Sequence, residues 1–288
     1  MDFRAELASF LKSRRAALRP EDLGVRPFSG RRRVPGLRRE ELAELAGVSM
    51  DYYTRLEQGR AQNVSDAVLD AVSRVLRLDA TERAHFGNLV RALHFGGGGG
   101  GPAPCEPGAA GLRDGVRFLL DSLGGVPAYV VGPRLDVLAA NPLARAVFAD
   151  FDAVPAARRN VAWHVFLDVR ARALYADWEE VARDTVGALR LDLGRYPCDD
   201  RLCTLLGELS VRSEDFRRLW AEQGVRDAAY GAWRLAHPVA GELTLHRETL
   251  HLAGSPGRSL VTFAAAPDSA SAAALPLLLR SPSPAGRA

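Results

Sequence analysis

The sequence predicts two fold classes in one chain: an all-α bundle of five helices over residues 1–95, then an α+β domain over residues 112–268. Three observations lead there. Residues 96–101 are an unbroken glycine run continuing into PAPCEPGAAG, which offers no apolar face to pack, so residues 96–111 read as a flexible linker. Before the linker, apolar residues recur at helical spacing between capping residues. After it, short apolar runs stand at both ends of the domain with helical stretches between them, the pattern of one antiparallel sheet flanked by helices. Residues 269–288 read as a tail outside the domain.

Phe3, Leu7, Leu11 and Leu18 mark one face of a first helix, which Pro20 and Gly24 end. Residues 38–46 form a second, with Leu42, Leu45 and Ala46 expected inside. Gly47 turns the chain, and Ser49 caps a third helix over residues 50–58, its oxygen accepting from an N–H that no helical carbonyl reaches. Gly59 suits the left-handed position past the end of that helix. Ser65 opens a fourth, where Val68, Ala71, Val72 and Val75 share a face. Asp79 and Glu82 form a capping box for a fifth that ends near Phe95.

In the second domain, AYVV (128–131) and LDVLAA (135–140) flank a Gly-Pro turn and read as a hairpin. Helices are expected near 142–149, 157–168, 171–191, 200–210 and 213–223. Strands are expected near 231–237, 241–246, 249–253 and 259–265, with Leu243 and Leu245 alternating against polar neighbours.

Charge and cysteine usage narrow the function. Residues 1–95 hold 17 Lys and Arg against 13 Asp and Glu, and residues 1–39 alone hold 11 against 4, a local basic bias that suits a polyanion. Cys105, Cys198 and Cys203 form neither a disulfide framework nor paired metal spacing, so no metal is expected. No apolar run reaches membrane-span length and residues 1–20 are too charged for a signal peptide, so a cytoplasmic protein that binds no membrane is expected. His164 and Asp168 share a helix face, and His237, His246 and His251 lie on late strands. No HExxH or nucleophile motif accompanies them, so the chain is not expected to be an enzyme.

The segment GLRREELAELAGVSMDYYTRLEQGR (36–60) carries the functional signal. Two short helices joined by a tight turn place the second in a DNA major groove, where its first turn meets base edges. That turn offers Ser49, Met50, Asp51 and Tyr52, and Arg55 follows four residues after Asp51 as a bidentate partner for guanine. Asp51 either accepts from a cytosine amino group or holds Arg55 in place. Tyr53 and Leu56 fall on the inward face. Arg31, Arg32, Arg33, Arg39 and Gln58 are candidates for phosphate contacts.

The string RRRVPGLRREELAELAGVSMDYYTRLEQGR, followed by SDAVLDAVSRVLRLDATERAHF, resembles the N-terminal domain of MmyB-like regulators, whose helix-turn-helix is of the Xre and lambda-repressor kind. PAYVVGPRLDVLAANPLARAVFADF, NVAWHVFLD, DWEEVARDTVGALR, GELSVRSEDFRRLWA and HPVAGELTLHRETL are similar to the C-terminal domain of that family, in the same order. The resemblance implies a PAS-like domain that holds a small apolar, fatty-acid-like ligand, and a homodimer on a double-stranded DNA operator. After Trp220 the family commonly has a His and an acidic residue before its Val-Arg pair. This chain instead has Gln223 and Gly224 before Val225 and Arg226.

The residues themselves leave two roles open in the second domain, which carries every tryptophan of the chain: large apolar rings suit a lipid-sized pocket, and each taken singly is more often part of a packed core. Tyr129, Trp163, Phe166, Trp178, Trp220 and Trp233 are the pocket candidates, with Arg226 or His237 as the anchor for a carboxylate head group. Two readings follow: a ligand-responsive regulator, or a constitutive DNA-binding protein whose second domain only dimerises or recruits a protein. The glycine linker argues against rigid transmission through residues 96–111, so a signal would travel by domain docking or by dimerisation.

Overall fold

In the computed structural model, residues 2–23, 36–95, 111–197, 199–226 and 229–279 are described. They divide into two compact units. The first is residues 1–104 with 193–198 and 221–226, and the second is the remainder. Among the described residues, no helix is long and apolar enough to cross a membrane.

The first unit contains α1 (Phe3–Ala17), α2 (Arg39–Leu45), α3 (Met50–Glu57), α4 (Asp66–Val75) and α5 (Ala80–Phe95). The expected punctuation is in place. Asp2 caps α1, Ser49 accepts from the Tyr52 N–H at 3.1 Å, and Ser65 accepts from that of Val68. The Asp79–Glu82 capping box is reciprocal, with bonds of 2.8 and 3.1 Å. Gly47 and Gly59 take the left-handed φ values of +68° and +65° that the turns after α2 and α3 require. Leu7, Phe10, Leu11, Leu42, Tyr53, Leu56, Val72, Phe86 and Leu89 form the core. One inward assignment is corrected. Leu45 is exposed and Ala43 is buried instead, because the seven-residue α2 turns its Glu41–Ala43 side to the bundle.

The second unit contains α6 (Asp114–Ser122), β1 (Ala128–Val131), β2 (Val137–Ala140), α7 (Pro142–Val147), α8 (Val161–Leu167), α9 (Val169–Leu174), α10 (Trp178–Arg195), α11 (Asp200–Arg212), α12 (Glu214–Ala221), β3 (Tyr230–His237), β4 (Gly241–His251), β5 (Ser259–Ala264) and α13 (Ala270–Leu278), except that the last residues of α10, from Leu193, and of α12, Ala221, belong to the first unit. The strands form one antiparallel sheet in the order β2-β1-β5-β4-β3. Its α6 side is packed by Val116 and Leu120 against Ala128, Val130 and Leu260.

Several expected elements are corrected here. The helix read over 171–191 is two, α9 and α10, because an edge strand captures the backbone between them. Tyr175 bridges Leu235, the Ala176 N–H donates to the Arg234 carbonyl at 2.9 Å, and Arg234 grips the Asp177 carboxylate. The strands read as 241–246 and 249–253 are the single β4, since Arg247 and Glu248 are paired on both sides, with β3 and with β5. Helix α6 was not anticipated. The stretch read as a tail contains α13, capped by Ser269, where Ser271 accepts from the Thr244 N–H at 2.9 Å and Leu275 and Leu278 are buried.

A buried Asn141 ties β1 to α7 with four bonds. Its oxygen accepts from the N–H groups of Ala128 and Ala144, and its nitrogen donates to the carbonyls of Leu123 and Val126. The β1–β2 turn is less relaxed. Arg134 and Leu135 both adopt left-handed φ, 64° and 65°, a conformation that side chains other than glycine resist. Arg134 is clamped there by Asp136 and Asp199, each at 2.6 Å. Its N–H donates to Asp192 and its carbonyl accepts from Asn160.

Candidate DNA-reading helix and ligand cavity

Helix α3 presents an outer face of exposed polar side chains. Ser49, Met50, Asp51 and Arg55 are exposed and Tyr52 is half-buried, while Tyr53 and Leu56 are buried on the opposite side. Arg55 pairs with Asp51 at 3.1 Å across one helical turn, both side chains remaining more than half exposed. In water such a pair is weak, so Arg55 can release its carboxylate at little loss. Gln58 is exposed at the C-terminal end of the helix. Arg31, Arg32 and Arg33 lie outside the described residues.

Arg39 is differently engaged. Its Nε and Nη2 donate to one Glu57 oxygen at 3.0 and 2.8 Å, and Arg15 reaches the other at 3.2 Å. Burial works to raise the Glu57 carboxyl, but bonds and charge from Arg39 and Arg15 outweigh it and hold the group below its ordinary value. This fork ties α1, α2 and α3 together and fixes the angle at which α3 is presented. Arg39 remains 45% exposed while making it.

In the second unit, one cavity of about 30 Å³ lies against the sheet face opposite α6. Its walls are Tyr129, Val131 and Val261 from the sheet, Trp233 and Arg247 from β3 and β4, Leu135 from the turn, Val161 from α8, and Asp184, Thr185 and Ala188 from α10. An aromatic cluster surrounds it. Tyr129, Trp233 and Phe148 pack on Phe263 with ring centres 5.4, 5.1 and 4.5 Å away, and Tyr175 meets Trp233 edge-on. Burial pushes the Tyr129 phenol up to about 12 and the Tyr175 phenol well above its ordinary value, with Arg247's charge opposing both shifts. Both phenols are therefore neutral in this dry environment. A larger cleft of about 480 Å³ near Asp177 is open, and Arg172, Asp177, Glu179 and Arg183 in its lining pair among themselves or with Asp215, Arg218 and Arg234.

The cavity brings together Tyr129 and Trp233 of the sequence-derived pocket residues. Phe166, Trp178 and Trp220 stand in a separate cluster around Phe216, with the Trp178 Nε1 donating to the Val165 carbonyl and Arg190 over the Trp220 ring. Trp163 is half-buried between Arg158 and Arg212. Arg226 is exposed. His237 organises the β3–β4 turn. Its Nδ1 accepts from the N–H groups of Val239 and Ala240, so its Nε2 carries the proton and donates to the Ala146 carbonyl. Neither anchor candidate lines the cavity, and nor do Gln223 and Gly224.

The cation that lines the cavity is Arg247, which sequence reasoning missed. The signal was present: in LTLHRETL, Leu243, Leu245, Arg247 and Thr249 alternate onto one face of a strand. His164 and Asp168, weighed as a catalytic pair, serve local structure. The His164 hydrogen bond, then Arg170, holds the Asp168 carboxyl well below its usual range while Asp168 caps α9. Among the described residues no group of His, Cys, Asp and Glu is placed to hold a metal; Cys105 and Cys198 lie outside them.

Residues 112–278 match the model of the family described as the MmyB-like transcription regulator ligand binding domain, and residues 6–86 match that of a helix-turn-helix domain. No curated protein matches the chain.

Proposed function

Because the chain belongs to the MmyB-like transcription regulators, joining a helix-turn-helix DNA-binding domain to a ligand-binding domain, we propose that it reads an operator as a homodimer and senses a small apolar, fatty-acid-like molecule in a PAS-like second domain. The observation that carries the DNA half is the split of α3 into a buried face, Tyr53 and Leu56, and an exposed face bearing Met50, Asp51 and Arg55. Arg55 reads a base, with Ser49, Met50, Asp51 and Tyr52 beside it in the groove. Arg31, Arg32, Arg33, Arg39 and Gln58 contact phosphates.

The ligand half rests on the aromatic and aliphatic walls against the sheet, where Tyr129 and Trp233 meet Val131, Val161 and Val261. A volume of about 30 Å³ has room for no more than a few waters, so a fatty-acid-sized ligand enters only as wall residues move apart. Ligand then selects an open state and shifts the population by the difference in affinity between the two states. The same small volume favours a second reading, a constitutive DNA-binding protein whose second domain only dimerises or binds a protein.

Native mass spectrometry of the full chain, followed by organic extraction, separates the two. A fatty-acid-sized adduct on a dimer supports the sensor. A dimer without adduct, whose melting temperature stays flat across a panel of lipids, supports the constitutive binder.

A further inference from the structure

We propose that Arg247 is the anion anchor of the cavity, and that the site selects molecules with an apolar body and a single carboxylate over neutral ones of the same shape. The inference rests on the ligand-sensor reading and adds the residue that sets its specificity.

Arg247 lies at an inward position of β4, with its guanidinium 5.2 Å from the centre of the Trp233 ring. Its Nε is buried without a hydrogen-bond partner, and no carboxylate of the described residues forms an ion pair with it. Among the described residues, the two buried arginines of this domain have oxygen partners: Arg134 two aspartates, and Arg190, through Nη2, the Trp220 carbonyl. A buried cationic N–H with nothing to donate to is costly, and an incoming oxyanion removes that cost.

The surroundings define the anion. Thr249, two residues along on the same face and about 7 Å away along the strand, has a buried Oγ1 that also lacks a partner. Across the pair on β3 stands Gly231, where a side chain's Cβ would meet nothing within 4 Å, so space is left beside the guanidinium. The Nε–Nη edge of one guanidinium matches the two oxygens of a carboxylate. Asp184 is in the same wall and repels a second negative charge, which disfavours a dianionic phosphate. Valine, tyrosine and tryptophan walls take the apolar body.

The test is calorimetric titration of the full-length protein with decanoate, methyl decanoate and decyl phosphate below their aggregation concentrations. Wild type is expected to bind decanoate at least tenfold tighter than the ester, with decyl phosphate weaker than decanoate. R247Q should bring acid and ester within about twofold by weakening the acid alone, and R247K should restore part of the gap. Equal affinity of acid and ester for wild type, or a gap that survives R247Q, overturns the anchor while leaving the sensor reading intact. Loss of acid and ester alike in both variants also overturns it, because Arg247 then serves packing. Failure of all three probes to bind wild type overturns the sensor reading and the anchor together.

Discussion

Arg55 and Arg39 are both arginines at the DNA-facing domain, yet their partners give them different duties. Arg55 has only an exposed aspartate to leave behind. Arg55→Ala should weaken operator binding by about 1–3 kcal/mol and relax the base choice, with random DNA almost unaffected. Arg39→Ala should weaken random DNA as well as operator and reduce the salt slope by about one, with a further loss on the operator because the Glu57 fork that sets the angle of α3 loses one arm. Gel-shift titrations on operator and random duplexes across salt concentrations distinguish the two. Equal loss on both DNAs for Arg55→Ala would falsify base reading. His85 is a third case, fully buried with both ring nitrogens lacking a partner. Burial, then the charges of Arg14 and Arg195, pushes its pKa down to about 4. The unfolded chain protonates this histidine near its ordinary value of 6.5 and the folded chain only near 4, so the unfolded state holds more protons between them. Stability is therefore full above that window and is lost as pH falls through it, by on the order of 3 kcal/mol. Denaturant melts from pH 7 to 4 should show this slope, and His85→Leu should flatten it.

At the level of elements, Ser49 fixes where α3 starts, and with it the first turn proposed to meet the DNA. Ser49→Ala should cost about 1 kcal/mol in stability by denaturant unfolding, with operator affinity falling as the first turn frays. A variant as stable as wild type would remove the cap from the account. Helices of the first unit were legible because their signals are local: caps, turn glycines and an apolar face sit within a few residues of one another. The second unit hid what depends on distant partners. Near Tyr175 the only local sign was Asp177 followed by Glu180, a helix-start pattern inside an otherwise helical run; the bonds that hold the break come from Arg234 and Leu235, about sixty residues on. Helix α13, rich in alanine and holding Pro276, looks like a tail until Ser271 takes the Thr244 amide. Of the cavity, large aromatic rings were legible as residue types. Which of them share a wall was not, since Trp178 and Trp220 have the same composition signal as Trp233 and pack elsewhere. Arg247 was overlooked because a charged residue in a strand ordinarily faces water.

For the whole molecule, the proposed dimer makes a geometric demand on its DNA. Two recognition helices related by a two-fold axis meet half-sites about 34–36 Å apart, one helical turn of the duplex. Inserting about half a turn, roughly 5 base pairs, between the half-sites should abolish tight binding, and inserting a full turn should restore part of it. Binding indifferent to the insertion would mean that each chain acts alone on DNA. Ligand linkage is read at the same scale: a probe at about one hundred times its Kd should add about 2.7 kcal/mol to the stability of the domain that binds it.

The turn at Arg134–Leu135 has a consequence for how such a sensor diversifies. Its backbone is dictated by Arg134, through Asp136, Asp199, Asp192 and Asn160, whereas the side chain that reaches the cavity belongs to the next residue, Leu135. Shape and fit are thus assigned to different positions. Exchanges at residue 135 can resize the chamber while its neighbour keeps the frame, so lineages have a dial for room that is separate from the charge at residue 247 and needs no rebuilding of the scaffold.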